Sequence, residues 1–298
     1  MAIYTFAFIM FAVDLAKRSS QKGAADAAYA TSVAARAGES TLTVAPPQAP
    51  PVYKFERIAF ALTVLGFLVH VVAVVLRGVA QGFVPWANMF EFSLTSSAII
   101  VGVFVGIQFW QNVRYLGVFI TGFALISLGV GTVNFYVPVK PLPDALDSYW
   151  LIIHVFVATL ATGFFAVGAG LSVLQLLQSR REASSKGMAF LRTLPDAVRL
   201  ENLAYFITVI GFVFWTFTLI AGSVWAERAW GRYWGFDTKE VWTFIIWVLY
   251  AGYIHARATR GWRGSRSAWL AIIGFSSVLF NYTVVNLFFK GLHSYSGL

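Results

Sequence analysis

The chain has 298 residues, of which 58% are hydrophobic and 12% are charged, whereas ordinary soluble domains carry about 25% charged residues. It contains no cysteine, which excludes disulfides, thiolate metal sites and thiol redox chemistry within the chain. A net charge of +9 would suggest nucleic acid as the partner of a soluble protein. In a chain this apolar, basic loops that orient membrane helices explain the charge better, so we expect no nucleic-acid partner.

The apolar residues form long blocks without the alternation typical of a β-barrel, and lipid offers an open backbone no hydrogen-bond partner. The sequence therefore predicts an all-α, polytopic membrane helical bundle with about eight transmembrane helices. The first helix is predicted to be short or truncated, and we expect the natural chain to begin upstream of Met1. The predicted segments are 2–14, 58–77, 92–110, 115–134, 150–177, 202–224, 241–256 and 268–289.

Two parts of the chain differ in composition. Residues 19–53 are rich in Ala, Ser and Pro, as flexible linkers are. We therefore interpret 1–57 as a short N-terminal span plus a flexible cytoplasmic loop, and 58–298 as the membrane domain that carries the functional site. Within that domain, the Trp-rich segment 225–242 is predicted to form an external loop.

Basic residues are distributed unevenly between two alternate sets of loops. One set, which contains Arg114 and the segments 17–57, 180–199 and 257–266, holds 16 of the 22 Lys and Arg residues. The positive-inside rule makes this set cytoplasmic. We therefore expect both termini and the Trp-rich loop to lie on the outer side of the membrane.

The four histidines are the main candidates for metal ligands. His154 is predicted near the outer end of its span, and His293 just beyond the outer end of the last span. His70 and His255 are predicted within spans, where imidazole is costly enough to suggest function; a hydrogen bond to a neighbouring helix is the alternative. Zinc needs three or four ligands, whereas two imidazoles supply both axial ligands of a haem iron.

The segment WGRYWGFDTKEVW, residues 230–242, combines flat aromatic side chains with charges. Aromatic rings would stack on a porphyrin, and basic side chains would pair with its two anionic propionates. An aromatic belt at the membrane interface is the alternative interpretation. The candidates for stacking are Trp225, Trp230, Tyr233, Trp234, Phe236 and Trp242, and the candidates for the propionates are Arg228, Arg232 and Lys239.

Asp237 and Glu240 have the spacing of a capping box, which predicts the start of a helix. A structural role is therefore favoured for Asp237, also because a carboxylate aimed at a propionate would repel it. Asp237 stays among the candidate site residues because it lies in the Trp-rich segment. Glu91, at the start of the third span, could cap its helix in a similar way.

Three stretches of the chain carry a family resemblance: WGRYWGFDTKEVWTFIIWVLYAGYIH, RGVAQGFVPWANMFEFS and NLFFKGLHSYSG. They are similar to motifs of the CcsA/ResC type of cytochrome c biogenesis protein, the haem-handling "WWD" proteins of System II. The resemblance covers roughly residues 58–298. Two positions depart from the family pattern: Phe236 stands where Trp is usual, and Thr238 where Pro is usual.

The resemblance implies that the chain binds haem b and presents it at the outer face for thioether attachment to the Cys-x-x-Cys-His motif of an apocytochrome c. It implies a CcsB/ResB-type membrane protein and thiol-reducing proteins as further partners, in a holocytochrome c synthase (haem lyase) complex. The membrane would be a bacterial cytoplasmic membrane or a thylakoid membrane.

By motif position, His154 and His293 would be the outer ligands of the haem iron, and His255 a transmembrane ligand. The second ligand opposite His255 would come from the CcsB-type chain. His70 is an alternative that the resemblance does not support directly.

Three other functions remain open from the sequence. A haem-delivery subunit would share the Trp-rich motif but pass haem to a chaperone. A membrane b-type haem electron carrier would pair histidines within the membrane. A transporter would bind its substrate at broken helices near the midplane, for which no matching Gly- or Pro-interrupted spans are evident.

Overall fold

The structure is a computed structural model that describes residues 1–36, 54–142, 146–184, 188–259 and 261–293. These residues form helices joined by short loops, and none of them lies in a β-strand, so the all-α prediction is confirmed. The helices are α1 (Ala2–Arg36), α2 (Lys54–Gln81), α3 (Met89–Ile107), α4 (Gly117–Asn134), α5 (Tyr149–Ser184), α6 (Ala197–Trp230), α7 (Thr238–Ala258) and α8 (Ser265–Phe280).

Four shorter elements also belong to the described structure. Single 3₁₀ turns at Arg114–Leu116 and Ala189–Thr193 precede α4 and α6. The helix α8 continues through a π-helical turn at Asn281–Val285 into a last helical turn at Asn286–Phe288. A π turn inserts an extra residue into the helix and is frequent at functional sites. This one lies directly after α8.

Within the described residues, six segments are long and apolar enough to cross a membrane, which confirms that the chain is polytopic. The helices α1 and α7 are not among them, so the count of eight spans stays a prediction. The six segments are Lys54–Gln81, Met89–Ile107, Arg114–Asn134, Tyr149–Ser184, Ala197–Trp230 and Ser265–Phe288.

The N-terminal helix differs from the sequence prediction. The loop predicted from residue 19 onward is helical as far as residue 36, because α1 is one helix of 35 residues. The short membrane span at 2–14 stays a prediction. Alanine is the best helix former, and the Ala-rich composition that suggested a linker is equally compatible with a helix. The remainder of the predicted loop, residues 37–53, lies outside the described residues.

The helix α5 lies at the centre of the bundle and packs against α3, α6 and α8. Small residues allow close approach to α6: a Cβ atom added at Gly211 would lie 2.8 Å from the ring of Phe165. Phe165 in turn stacks on Tyr250 of α7, with ring centroids 3.7 Å apart. The positions of α5, α6 and α7 are thus coupled through aromatic packing.

A buried ion pair connects α6 with α7 near the last turn of α7. Arg257 Nε lies 3.0 Å from Glu201 Oε1, and both side chains are buried. The second carboxylate oxygen of Glu201 accepts the backbone N–H of Gly264, and Arg257 also donates to Asn202 Oδ1. This network fixes the turn of α7 that carries His255 and the loop that leads to α8.

Candidate functional site

A cavity of about 230 Å³ opens at the end of the bundle where α6 meets α7, an end we call the cavity end. Its walls come from α3 to α8 and from the loop between α2 and α3. The volume is far above the ~10–15 Å³ that a single buried water requires, so the cavity has room for a larger ligand. Six of the predicted site residues line it: His154, His293, Trp225, Tyr233, Trp234 and Lys239.

His154 on α5 is held in one orientation. Its Nδ1 atom lies 3.0 Å from the backbone carbonyl oxygen of Thr218 on α6. A carbonyl oxygen only accepts, so Nδ1 carries the proton and Nε2 carries the lone pair that can bind a metal. Gly222 makes room for the ring, because a Cβ atom there would lie 2.6 Å from His154 Cε1.

His293, which follows the last turn of α8, is oriented by a carboxylate. Its Nδ1 atom lies 2.7 Å from Asp237 Oδ2, and the backbone N–H of Leu292 donates to the other oxygen of Asp237. The hydrogen bond from His293 is the largest of the effects that hold the pKa of Asp237 below its ordinary value. A carboxylate on Nδ1 is the usual support for a histidine whose Nε2 binds a metal.

Asp237 has a structural role as well. It is the N-cap of α7 and forms the predicted capping box with Glu240, so this part of the sequence prediction is confirmed. The same side chain therefore starts α7 and orients His293. Glu91 does not cap α3 as expected; Asn88 does, and Glu91 instead accepts the backbone N–H of Ala87.

Trp225 packs against both histidines. Its ring centroid lies 6.0 Å from that of His154, with nearly parallel planes, and 5.5 Å from that of His293. Trp225 is itself only 2% exposed, and Trp230 packs against both it and His293. One buried indole thus fixes the relative position of two imidazoles, and both imidazoles face the same cavity.

The remaining aromatic candidates divide into two groups. Tyr233 and Trp234 are partly exposed and line the cavity. Phe236 is 80% exposed and does not line it, and Trp242 packs against Phe280 outside the lining, with ring centroids 4.4 Å apart. The structure therefore brings only three of the six predicted aromatic side chains to the cavity, namely Trp225, Tyr233 and Trp234.

The predicted loop at 225–242 is shorter than the sequence suggested. The helix α6 extends to Trp230 and α7 begins at Thr238, so only 231–237 form the loop. Gly231 ends α6 in the left-handed conformation, with φ 69°, that commonly terminates helices. Trp225, Arg228, Trp230 and Trp242 consequently lie on helices, which position them more rigidly than a loop would.

The predicted basic residues have different partners from those expected. Arg232 donates to Glu240 Oε1 at 2.9 Å, and the guanidinium of Arg228 lies 5.5 Å from the ring centroid of Tyr149. Neither arginine lines the cavity, whereas Lys239 does. Among the three basic candidates, Lys239 alone is placed where it could contact a ligand inside the cavity.

The other two histidines lie away from the cavity. His70 on α2 is buried, with Nδ1 3.3 Å from the hydroxyl of Tyr4 on α1. His255 is exposed on the surface of α7, sixteen residues from Lys239, or about 24 Å along the helix. His70 thus has a partner within the bundle, while His255 faces outward, where another protein could reach it.

Several cavity residues were missed by the sequence interpretation. Trp86 and Asn88 reach the cavity from the loop after α2, which is held by the pair Arg77–Glu91, 2.8 Å from Nη2 to Oε1. Asn281 and Tyr282 enter it from the π turn. Two Asn residues, 281 and 286, in an apolar span were a usable signal, because polar side chains are expensive in lipid.

The fold and the cavity define a polytopic helical membrane protein with a paired-imidazole site at one end of its bundle. Residues 58–293 match the family model described as "Cytochrome C assembly protein", and the chain belongs to that family.

Relatives with the same kind of name support this assignment. The chain is 32% identical over 259 residues to "Cytochrome c biogenesis protein CcsA" of Guillardia theta, covering 81% of this chain and 86% of that protein. It is 30% identical over 291 residues to the CcsA of Porphyra purpurea, covering 84% and 90%. It is 38% identical over 177 residues to the CcsA of Prochlorococcus marinus, covering 52% and 56%. The family resemblance is confirmed, and the chain has a role in cytochrome c maturation.

Proposed function

We propose that the cavity binds haem b, the substrate of cytochrome c maturation, with Nε2 of His154 and Nε2 of His293 as the two axial ligands of the iron. The observation that carries this proposal is the hydrogen bonding of the two imidazole rings. Each has its Nδ1 atom hydrogen-bonded to an acceptor that cannot donate, each therefore presents Nε2, and both flank Trp225 beside one cavity.

The walls of the cavity suit a porphyrin. Trp225 provides a buried flat surface, and Tyr233 and Trp234 add aromatic surface that is partly open to the surroundings. Aromatic side chains bury large apolar area and stack on other π-systems. A ring held in this way keeps one edge accessible through the exposed side of Tyr233 and Trp234, which is where a second protein would approach it.

The chemistry proposed at this edge is the addition of two thiols of an apocytochrome c to the two vinyl groups. In each addition a C–S bond forms, the thiol hydrogen goes to the neighbouring vinyl carbon, and no group leaves. The chain supplies no cysteine, so both thiols come from the substrate protein and reductants from thiol-reducing proteins. Its contribution is to hold the ring where the thiols can reach it, which is a positioning effect.

The proposal includes a complex with a CcsB/ResB-type membrane protein, in which this chain is one subunit of a holocytochrome c synthase. His255 is exposed on α7, where another chain can reach it, which supports a transmembrane haem ligand whose counterpart belongs to the partner. The distribution of basic residues supports placing the cavity end on the outer side of a bacterial cytoplasmic or thylakoid membrane.

The geometry favours this function over a b-type electron carrier built by the chain alone. Such a carrier needs paired histidines within the membrane, and His70 contacts Tyr4 inside the bundle while His255 faces outward. The haem-delivery alternative uses the same cavity and differs in the acceptor. Covalent haem attachment to an apocytochrome, dependent on the CcsB-type partner, distinguishes the two.

The test is an absorption spectrum of the detergent-purified protein, co-expressed with a CcsB-type partner, as wild type, His154→Ala and His293→Ala. We expect a bis-histidine haem spectrum in the wild type. In each variant we expect a loss of affinity greater than the roughly 10–100-fold that removing a supporting partner of a metal ligand costs.

His70→Ala is the matched control, because His70 is buried but does not line the cavity. It should keep the wild-type spectrum. Unchanged haem spectra in both His154→Ala and His293→Ala, in protein that remains folded, would refute the axial ligands proposed here.

A further inference from the structure

One wall of the cavity is polar, in contrast to the aromatic wall around Trp225. It consists of Lys239 and Thr243, one turn apart on α7, and of Asn281 and Asn286 from the end of α8. We call these four residues the polar wall. The ammonium group of Lys239 donates to Asn286 Oδ1, and Asn281 Nδ2 lies 3.4 Å from Thr243 Oγ1.

The charge of Lys239 is not neutralised by an ion pair. Among the described residues no carboxylate oxygen is recorded within 4.0 Å of its Nζ atom. Glu240, the next residue, pairs with Arg232, and Asp237 is bound to His293. Lys239 is partly buried, and a charge that is removed from water is costly unless it is paired. The bond to the neutral amide of Asn286 compensates this cost only in part, so an anionic ligand in the cavity would be favoured here.

Asn281 adds a second, independent indication of a ligand. The residue is 4% exposed and lines the cavity, and its Oδ1 atom is buried without a hydrogen-bond partner. Buried polar atoms are almost always satisfied, and an exception at a cavity is explained by a group that binds there. The amide of Asn281 can accept from a protonated carboxyl group or, with its ends exchanged, donate to a carboxylate.

We propose that the polar wall is a carboxylate subsite, at which one propionate of the bound porphyrin pairs with Lys239 and hydrogen-bonds Asn281. This inference rests on the proposed haem site and specifies the orientation of the ring in it. One propionate points toward α7 and the end of α8 rather than toward Arg228 and Arg232, which are engaged with Tyr149 and Glu240. A carboxylate at this wall fixes the rotation of the ring about the axis between the two iron ligands.

The rotation has a chemical consequence. The vinyl groups of haem lie on the part of the ring away from the propionates, so a propionate at the polar wall turns the vinyl edge toward the opposite side of the cavity. The subsite therefore selects which edge of the porphyrin is presented.

The test compares two probes, iron protoporphyrin with free propionates and its dimethyl ester, in titrations of wild type, Lys239→Met and Lys290→Met. The Lys290→Met variant is the matched control, because Lys290 is an exposed lysine near the cavity end that does not line the cavity. Wild type and Lys290→Met should bind the free acid at least about tenfold more tightly than the ester, the factor that one hydrogen bond to a charged group is worth.

Lys239→Met should lose most of the preference for the free acid, keeping only the part that Asn281 contributes, and should retain the bis-histidine spectrum. Equal affinity of the wild type for acid and ester, with that spectrum present, would overturn the subsite and leave the haem site standing. Retention of the full preference in Lys239→Met would do the same. Failure of the wild type to bind either porphyrin would overturn the haem site and the subsite together.

Asn281→Leu provides a second variant in case Lys239→Met does not fold. It keeps the size of the side chain and removes the amide, so the preference for the free acid should fall without disappearing. An unchanged preference in Asn281→Leu would contradict the role of the amide.

Discussion

The cavity end and the last turn of α7 each carry histidine, but they are built differently. At the cavity end, His154 and His293 face one cavity, and each has a fixed Nδ1 partner. At the last turn of α7, His255 is exposed. The buried ion pair there joins Arg257, two residues after His255, to Glu201 of α6. The first region contains both imidazoles that an iron needs, whereas the second is rigid but offers only one.

A glycine lies near a histidine in both regions, and the packing around the two glycines differs. A Cβ atom at Gly222 would collide with His154, while a Cβ atom at Gly252 would meet nothing within 4 Å. The cavity end is therefore closely packed around its histidine, and the surface beside His255 is open. The comparison suggests that the cavity end functions as a finished binding site and that the His255 surface is completed by another chain.

The largest expected effect concerns stability at the last turn of α7. Arg257→Ala leaves Glu201 as an unpaired buried carboxylate, and breaking a buried ion pair in this way typically costs about 3–5 kcal/mol. We expect a clear fall in the thermal unfolding midpoint in detergent. Arg266→Ala, which removes an exposed arginine from the same end, should leave the midpoint nearly unchanged. Equal midpoints for the two variants would show that the Glu201–Arg257 pair is not needed there.

The next effect tests the packing of the two glycines. Gly222→Ala should displace His154 from Thr218 and weaken haem binding at the cavity by about 100-fold, because overpacking a rigid site costs on the order of 1–3 kcal/mol and the ligand also loses its orientation. Gly252→Ala is the matched substitution in open space and should leave the cavity spectrum unchanged. Both are measured by haem titration, and similar affinities in the two variants would refute the difference in packing.

The smallest effect concerns Asp237. Asp237→Asn keeps the shape of the side chain but removes the charge opposite His293, and haem affinity should fall by roughly tenfold, the lower part of the range for a partner that orients a metal ligand. The mutation also separates the two roles of Asp237, because asparagine still caps a helix well but carries no charge to orient His293. Unchanged affinity would show that the carboxylate does not support His293 as a ligand.

The same variant has a pH signature. The folded protein holds the pKa of Asp237 below its ordinary value, chiefly through the hydrogen bond from His293. The carboxylate therefore contributes stability above that ordinary pKa and loses the contribution as pH falls through the lowered pKa. The acid limb of the stability profile should therefore be shallower in Asp237→Asn than in the wild type. Parallel acid limbs would contradict this contribution.

Much of the cavity end was predictable from the sequence because its signals are local. The capping box is defined by two residues three apart, and it is found at the start of α7. The side of the membrane on which each histidine lies stays a prediction from span order and charge. The contacts that make the site were not predictable in this way. The backbone carbonyl of Thr218 on α6 contacts His154 on α5 across a helix interface. Arg232 pairs with Glu240 of α7 just after Gly231 ends α6 in the left-handed conformation.

The prediction was wrong where the amino-acid composition of a segment is compatible with two different structures. Ala-rich sequence suggested a linker after residue 18, but the chain continues as the helix α1, in which Asp14 and Arg18 pair and Arg18 also pairs with Glu56 of α2. The Trp-rich segment was predicted to be a loop because it carries charges. Most of it belongs to α6 and α7, since a helix end tolerates charges that a helix centre in lipid does not.

The π turn at Asn281–Val285 makes the cavity sensitive to chain length as well as to residue identity. Each residue of an α-helix advances the side-chain direction by about 100°, so removal of one residue from this turn would rotate everything that follows it. Asn286 would leave the polar wall, and His293 would turn away from Trp225 and Asp237. Among related chains, an insertion or deletion within these five residues is therefore expected to disturb the site more than most substitutions in the same turn.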